Sequence, residues 1–168
     1  MFIRESLADR LLEASSLEAI YDLLRAFPLM GDFMSYQTAI DLNYSALINF
    51  GENDFTKAGP GALRGIDKCF SARGDYTPEQ IIQYMVQHQD EHFQRLGLKF
   101  GGLYGRPLHA IDCQNLFCEV DKYSRVAYPE LASNRQRIKS RFAPHAKPQS
   151  LFFPPKWGIN HMLPESLV

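Results

Sequence analysis

The chain has 168 residues, 45% of them hydrophobic and 12% aromatic, which is enough for one folded domain with a single core and excludes a disordered chain. Its net charge of −1 hides an uneven distribution, because residues 1–60 carry a net −5 and residues 121–168 a net +5. No apolar run is long enough to cross a bilayer and the N-terminus has no signal-peptide pattern, so we expect a cytoplasmic protein without a membrane partner.

Helix signals dominate the chain. Apolar periodicity and the Ser, Pro and Gly boundaries predict helices over residues 2–14, 15–27, 33–50, 62–70, 78–96, 107–126 and 129–142. No alternating pattern requires a sheet, so the prediction is an all-α protein. We expect a helical domain over residues 1–143 and an irregular tail over residues 144–168, rich in proline and aromatic residues and packed on the domain.

The potential metal ligands do not form a convincing site. Cys69, Cys113 and Cys118 are odd in number and lack ligand spacing, so we expect reduced, buried thiols. The stretch from His88 to His92 matches the H-x-x-E-H string of some zinc peptidases, but no third ligand follows it. The sequence therefore predicts no metal and no cofactor.

The helix predicted over residues 107–126 carries a polar stripe. Asp112, Asn115, Glu119 and Lys122 are spaced three, four and three residues apart, which places them on one helical face among apolar neighbours. If the stripe faces the core, its two carboxylates and its lysine are expected to be ion-paired or to have a function. The alternative is that the stripe faces water and that Glu119 and Lys122 form a surface ion pair.

A second polar stripe lies on the helix predicted over residues 33–50. Gln37, Asp41 and Tyr44 follow one another at intervals of four and three residues within an apolar segment. They predict either part of a functional pocket or a buried structural network in which Asp41 accepts a hydrogen bond from Tyr44 or from a backbone N–H.

Two glycine-containing turns precede predicted helices. Gly59-Pro60-Gly61 is followed by Arg64, and free N–H groups at such a helix start attract anions, so a phosphate of a DNA backbone is a candidate ligand. The Lys-Ser/Thr pair of a nucleotide-binding P-loop is missing, which argues against an ATPase. Phe27 to Gly31 forms a second turn, whose N–H groups around Gly31 are also suited to phosphate. The alternative in both places is an ordinary turn.

The basic end of the chain predicts a polyanionic partner. No acidic residue occurs between Leu131 and Pro164, whereas basic residues are frequent there. The proposed phosphate contacts in this segment are Arg135, Arg137, Lys139 and Arg141. Nucleic acid is the expected partner, with a solvated charged surface as the alternative.

Taken in chain order, these motifs resemble one family. Four runs carry the resemblance, across residues 16–125: Phe27-Pro-Leu-Met-Gly-Asp-Phe-Met-Ser-Tyr-Gln, Asp41-Leu, Gly59-Pro-Gly-Ala-Leu-Arg-Gly65, and Asp112-Cys-Gln-Asn-Leu-Phe-Cys-Glu-Val-Asp-Lys-Tyr123. They are similar to helical, DNA-glycosylase-like proteins of thymidine hypermodification. That group includes the alpha-glutamyl/putrescinyl thymidine pyrophosphorylases, the amino acid:DNA transferases and the helical domain of hydroxymethyluracil DNA kinases.

The resemblance implies a fold related to helix-hairpin-helix DNA glycosylases that acts on a modified pyrimidine, with modified, double-stranded phage DNA as its partner. The matching polar positions are Gln37, Asp41, Gly59, Gly61, Asp112, Asn115, Glu119, Lys122 and Tyr123. One departure is that the catalytic Asp some twenty residues after the hairpin glycine is not clearly present. The chain also carries no kinase domain, which argues against a hydroxymethyluracil kinase.

Three functions remain open at this point. The first is a DNA glycosylase of antiphage defence that excises a flipped, hypermodified base, with Glu119, Asp112 and Asp41 as candidate catalytic carboxylates. The second is a transferase in which an amine displaces pyrophosphate from an activated thymidine methyl group. Lys122 and Arg64 are the candidate residues that would bind the leaving pyrophosphate. The third is a non-catalytic DNA-binding module. The base pocket would contain Gln37, Tyr44, Asn115 and Tyr123.

Overall fold

The computed structural model describes residues 6–131 and 150–164, and this part of the chain is all-α with no strand. The six α-helices are α1 (Leu7–Leu12), α2 (Leu17–Arg25), α3 (Asp32–Asn43), α4 (Pro60–Cys69), α5 (Pro78–Arg95) and α6 (Ala110–Ala127). Short 3-10 turns cover Pro129–Leu131, Pro155–Trp157 and Asn160–Met162. The predicted helix over residues 129–142 and the boundary between residues 143 and 144 extend outside the described residues.

Local capping explains where two helices begin. Ser16 accepts a hydrogen bond from the N–H of Ala19 at 3.0 Å and starts α2. Thr77 and Gln80 form a reciprocal capping box, with Pro78 as the first residue of α5. These side chains satisfy N–H groups that have no partner inside the helix, which is why the sequence signal was reliable here.

Helix α1 covers Leu7–Leu12 rather than the predicted residues 2–14, of which residues 2–5 lie outside the described part of the chain. Two further helix boundaries differ from the sequence prediction because of distant contacts. The third helix ends at Asn43 rather than residue 50, because the buried Asn43 side chain bonds both the N–H and the C=O of Phe50 and closes a loop. The sixth helix begins at Ala110 rather than residue 107. Gln89 pairs with both backbone groups of Leu108 and keeps that segment extended. Both boundaries depend on contacts that local propensity does not report.

The core has two parts. The first consists of α2 and α3 with Ile48 and Ile111, and the second of α4, α5 and α6. Helix α6 contributes to both, since Ile111 lies in the first part and Phe117 in the second. The two parts therefore share one central helix.

Close contact between α4 and α6 depends on glycine. A Cβ added at Gly65 would lie 1.9 Å from the carbonyl oxygen of Phe117, and one at Gly61 would lie 2.8 Å from the sulfur of Cys118. Only a residue without a Cβ lets the two helix backbones approach this closely. In Gly59-Pro-Gly-Ala-Leu-Arg-Gly65, the glycines thus have a packing role that the sequence did not reveal.

The three thiols are free, as expected, but they are not all buried. Cys113 is buried and Cys118 half-buried, whereas Cys69 is exposed at the end of α4. Within the described residues, no cluster of His, Cys, Asp or Glu could hold a metal ion. None of the described helices is long and apolar enough to span a membrane.

Candidate functional site

The residue that precedes α4 is a glycine, Gly59, and it lies against both α3 and α6. Gly59 precedes α4 with an extended backbone. Neighbouring side chains occupy the space that a Cβ at this position would take. An added Cβ would lie 2.7 Å from a ring carbon of Phe33 on α3 and 3.4 Å from Nε2 of Gln114 on α6. Gly59 therefore brings Phe33 and Gln114 together.

Two side-chain amides, Gln37 on α3 and Gln114 on α6, have buried atoms without a hydrogen-bond partner among the described residues. Gln114 is fully buried, and its Nε2 donates to the sulfur of Cys118 at 3.4 Å. Its Oε1 is buried without a donor from any described residue, and Nε2 of Gln37 is likewise buried without an acceptor among them. Gln37 follows Phe33 by one turn on the same face of α3. We call Phe33, Gln37, Gly59, Gln114 and Cys118 the amide cluster.

An unpartnered buried amide is costly. Each such donor or acceptor costs about 1–3 kcal/mol compared with its hydrated state in the unfolded chain. Native proteins therefore leave few of them, and each one calls for an explanation such as a missing ligand. The amide cluster offers one free donor, on Gln37, and one free acceptor, on Gln114.

The predicted stripe on α6 faces outward for most of its length. Asn115, Glu119, Lys122 and Tyr123 are exposed, and Glu119 pairs with Lys122 at 2.5 Å. Of the two alternatives, the solvent-facing one with a Glu119–Lys122 surface pair is confirmed, because the buried face of α6 passes through Gln114, Phe117, Asp121 and Ser124. The stripe adjoins the amide cluster along α6, since Glu119 directly follows Cys118 and Lys122 lies one helical turn after it.

The other predicted site residues lie elsewhere. Asp41 is exposed on α3. The Tyr44 ring packs edge-on against the Trp157 ring, with 5.3 Å between the ring centroids. Burial raises the pKa of the Tyr44 hydroxyl well above its usual value. Asp112 accepts from the N–H of His109 at the start of α6. The two stripes therefore do not converge on a single pocket.

Arg64 is held by a buried carboxylate that the sequence analysis missed. Asp121 is fully buried and accepts from Nε of Arg64 at 3.0 Å and from Nζ of Lys68 at 2.8 Å. Arg125 lies 3.3 Å from the same carboxylate. No described residue accepts from the terminal nitrogens of Arg64, and its side chain is 27% exposed. Arg64 is thus fixed at its Nε and open at its outer edge.

A second buried network, the Glu52 cluster, ties the tail to the helices. Glu52 accepts from Trp157 at 2.6 Å, from His109 at 2.9 Å and from Arg106 at 3.0 Å. Arg106 also pairs with Asp112 at 2.7 Å, and its guanidinium lies 3.8 Å from the centre of the Trp157 ring. Burial alone would raise the pKa of Glu52, but the hydrogen bonds from His109, Trp157 and Arg106 outweigh it and lower the pKa to about 2.

This depressed pKa predicts a loss of stability in acid. Glu52 contributes most above its unfolded pKa of 4.5, and the contribution disappears as the pH falls through the folded pKa of about 2. Between pH 6 and pH 3 we expect the free energy of unfolding of the wild type to fall by about 2 kcal/mol more than that of Glu52→Gln. Urea unfolding at both pH values measures this difference. Equal declines in the two proteins would contradict it.

Comparison with known proteins now identifies the family. Residues 1–133 match the family described as 5-hmdU DNA kinase, helical domain. The chain belongs to this family. A curated relative, the "5-hmdU DNA kinase" of Bacillus phage SP10, is 23% identical over 116 residues, which are 65% of this chain and 18% of the relative. This chain therefore covers about a fifth of the relative's length. No solved structure matches it.

The family corrects the functional predictions. The likeness to the helical domain of hydroxymethyluracil DNA kinases is confirmed. The prediction of a glycosylase is wrong, because the family and the phage relative are named for a kinase rather than a hydrolase. The pyrophosphate-displacing transferase is unsupported for the same reason. The match concerns the helical domain of these kinases, so it does not test the prediction that the chain carries no kinase domain.

Proposed function

We propose that this chain binds DNA containing 5-hydroxymethyluracil and holds that base for phosphorylation of its hydroxymethyl group by a kinase. The family match supports the DNA and the modified base. The observation that carries the assignment of the site is the unpartnered donor on Gln37 and acceptor on Gln114. A nucleotide-binding domain, in the same polypeptide or in another, would catalyse the phosphoryl transfer itself.

The free donor and the free acceptor of the amide cluster match the hydrogen-bonding groups on the edge of a uracil ring. Such a ring presents a donor at N3–H between two carbonyl acceptors. Oε1 of Gln114 would accept from N3–H, while Nε2 of Gln37 would donate to a neighbouring carbonyl. In the structure Nε2 of Gln114 donates to the Cys118 sulfur, and Oε1 is the end of this amide without a partner among the described residues. Cytosine has an acceptor at N3 and would leave Oε1 of Gln114 unpaired, so the cluster favours uracil-type bases.

To reach these amides, the base must flip out of the base stack of the DNA duplex. Phe33 covers Gly59 and is itself 41% exposed, on the first turn of α3. We propose that its ring turns outward and stacks on the entering base, which exchanges one apolar contact for another.

Arg64 is the proposed phosphate contact on the described surface. Asp121 orients the guanidinium in advance, so little rotational freedom is lost when the outer nitrogens bind a phosphate. Gly31 is a second candidate, since no atom within 4 Å crowds the side-chain position of that glycine at the start of α3. The proposed contacts Arg135, Arg137, Lys139 and Arg141 lie outside the described residues.

Glu119 is the proposed contact to the hydroxymethyl group. Its carboxylate is exposed at the border of the amide cluster and would accept a hydrogen bond from the hydroxyl, which thymine lacks. We expect Glu119→Gln to bind thymine DNA like the wild type and to lose about tenfold of its preference for 5-hydroxymethyluracil. The control is Glu91→Gln, an exposed glutamate on α5 that pairs with His88. An unchanged preference in Glu119→Gln would remove Glu119 from the site.

Fluorescence anisotropy tests the proposed function as a whole. The ligands are duplexes identical except for one central base, which is 5-hydroxymethyluracil, thymine or 5-hydroxymethylcytosine. We expect the affinity order 5-hydroxymethyluracil, thymine, 5-hydroxymethylcytosine, at a fixed salt concentration because phosphate contacts make affinity salt-dependent. Equal affinity for the three duplexes would overturn the assignment of a base-selecting site.

A further inference from the structure

Leu29, in the turn between α2 and α3, combines two unfavourable features. Its backbone has a φ of +69°, in the left-handed region that a residue with a Cβ enters at a cost of about 1–2 kcal/mol. Its side chain is completely exposed, so packing within the described chain does not repay that cost. Glycine would adopt this conformation without strain. The fold therefore does not explain why a leucine occupies the position.

The turn that carries Leu29 is held in place on both sides. Met30 N–H donates to the carbonyl of Phe27 at 3.2 Å, and Arg25 donates to the carbonyl of Met30 at 3.2 Å. Arg25 also pairs with Asp32, the first residue of α3, at 2.6 Å. These bonds fix the direction in which the Leu29 side chain projects.

Leu29 is also close to the amide cluster in sequence. It precedes Phe33 by four residues, and Phe33 is the ring that covers Gly59. Four residues span at most about 14 Å, so the Leu29 backbone lies within about 14 Å of Phe33, the cluster member that packs over Gly59. A shallow recess of about 570 Å³ lies at the same turn, lined by residues 25–31. Arg25, at the end of α2, supplies a positive charge beside it.

We propose that Leu29 inserts into the base stack of the DNA, in the space that the flipped base vacates. This inference rests on the proposed function, because it requires a DNA substrate from which a base is withdrawn. An apolar wedge repays part of the cost of unstacking by contacting the faces of the flanking bases. The strained backbone is then the means by which the turn presents a leucine to the DNA rather than to the core.

The decisive variant is Leu29→Gly, which separates folding from function. Removal of the strain is expected to raise the melting temperature by a few degrees. In the same protein we expect about tenfold weaker binding to the 5-hydroxymethyluracil duplex. With 2-aminopurine placed next to that base, we also expect most of the fluorescence increase that reports unstacking to disappear. Leu29→Met, which keeps an apolar wedge, should restore binding and fluorescence. Leu47→Ala, which shortens another exposed leucine, should change neither.

The possible results separate this inference from the proposed function. If Leu29→Gly binds and unstacks the duplex like the wild type, the wedge is overturned and the amide cluster is unaffected. If the wild type binds thymine and 5-hydroxymethyluracil duplexes equally, base selection is overturned. The ratio of the Leu29→Gly signal to the wild-type signal on those duplexes still decides the role of Leu29. A wild type that binds no DNA overturns both.

Discussion

Arg106→Met is expected to lower the free energy of unfolding by about 3–5 kcal/mol, because it leaves two carboxylates without their cation. The Arg106 side chain is only 6% exposed and bridges Glu52, which is 8% exposed, and Asp112, which is 19% exposed. The substitution also removes the guanidinium from the face of Trp157. Methionine fills a similar volume, so the loss arises from charge and hydrogen bonding rather than from a cavity.

Urea unfolding at pH 7 measures this effect. The control is Arg73→Met, which removes an arginine from an exposed pair with Asp67 and should change stability by less than 1 kcal/mol. A change below 1 kcal/mol for Arg106→Met would show that the Glu52 cluster does not hold the tail on the helices. The same variant should then also leave the fluorescence of Trp157 unaltered.

Gln114→Leu is expected to reduce the affinity for 5-hydroxymethyluracil DNA by about 10- to 100-fold without loss of stability. The leucine has a similar size and removes a buried carbonyl that has no donor among the described residues, so the folded protein should be as stable as the wild type or more stable. The DNA complex, in contrast, loses the acceptor that we assign to N3–H of the base.

Anisotropy titration and thermal unfolding of the same preparation test both halves of this expectation. Gln87→Leu is the matched control, since Gln87 is an exposed glutamine on α5, away from the amide cluster. Wild-type affinity in Gln114→Leu would contradict the site. A large loss of stability would instead show that the Gln114 amide serves the fold through its contact with Cys118.

Much of the fold could be predicted from local signals. The capping box at Thr77 and the cap at Ser16 fix the starts of α5 and α2 within one or two residues. The errors occur where a distant side chain decides. Asn43 ends α3 by bonding Phe50, and Gln89 on α5 holds Leu108 extended before α6. Such pairings leave no periodic signal in the sequence.

The site was harder to predict because α6 is ambiguous. Its buried face contains polar residues, Gln114 and Asp121, and its exposed face contains apolar ones, Leu116 and Tyr123. A sequence pattern that assigns polar residues to one face therefore selects the outward face. Gln37 and Gly59 were among the predicted site residues, whereas Gln114 stood unremarked inside the motif that carried the family resemblance.

The chemistry could not be read from carboxylates alone. Carboxylates placed near a base are compatible with hydrolysis, with group transfer and with simple binding, so the residue types did not separate these functions. The Glu52 cluster shows the difficulty, because its members are up to 105 residues apart in sequence and serve to join the tail to the helices. Asp112, a candidate for catalysis by its position on the stripe, pairs within that network.

The most direct test of the central claim is an NMR titration that follows the side-chain amides of ¹⁵N-labelled protein. The Gln37 and Gln114 resonances are assigned by their disappearance in Gln37→Leu and Gln114→Leu. We expect both to shift on addition of the 5-hydroxymethyluracil duplex, and to shift with the thymine duplex only at higher concentration, because thymine shares the ring edge but lacks the hydroxyl assigned to Glu119. If DNA binds while both amide resonances stay in place, the base does not enter the amide cluster and the account of the site is wrong.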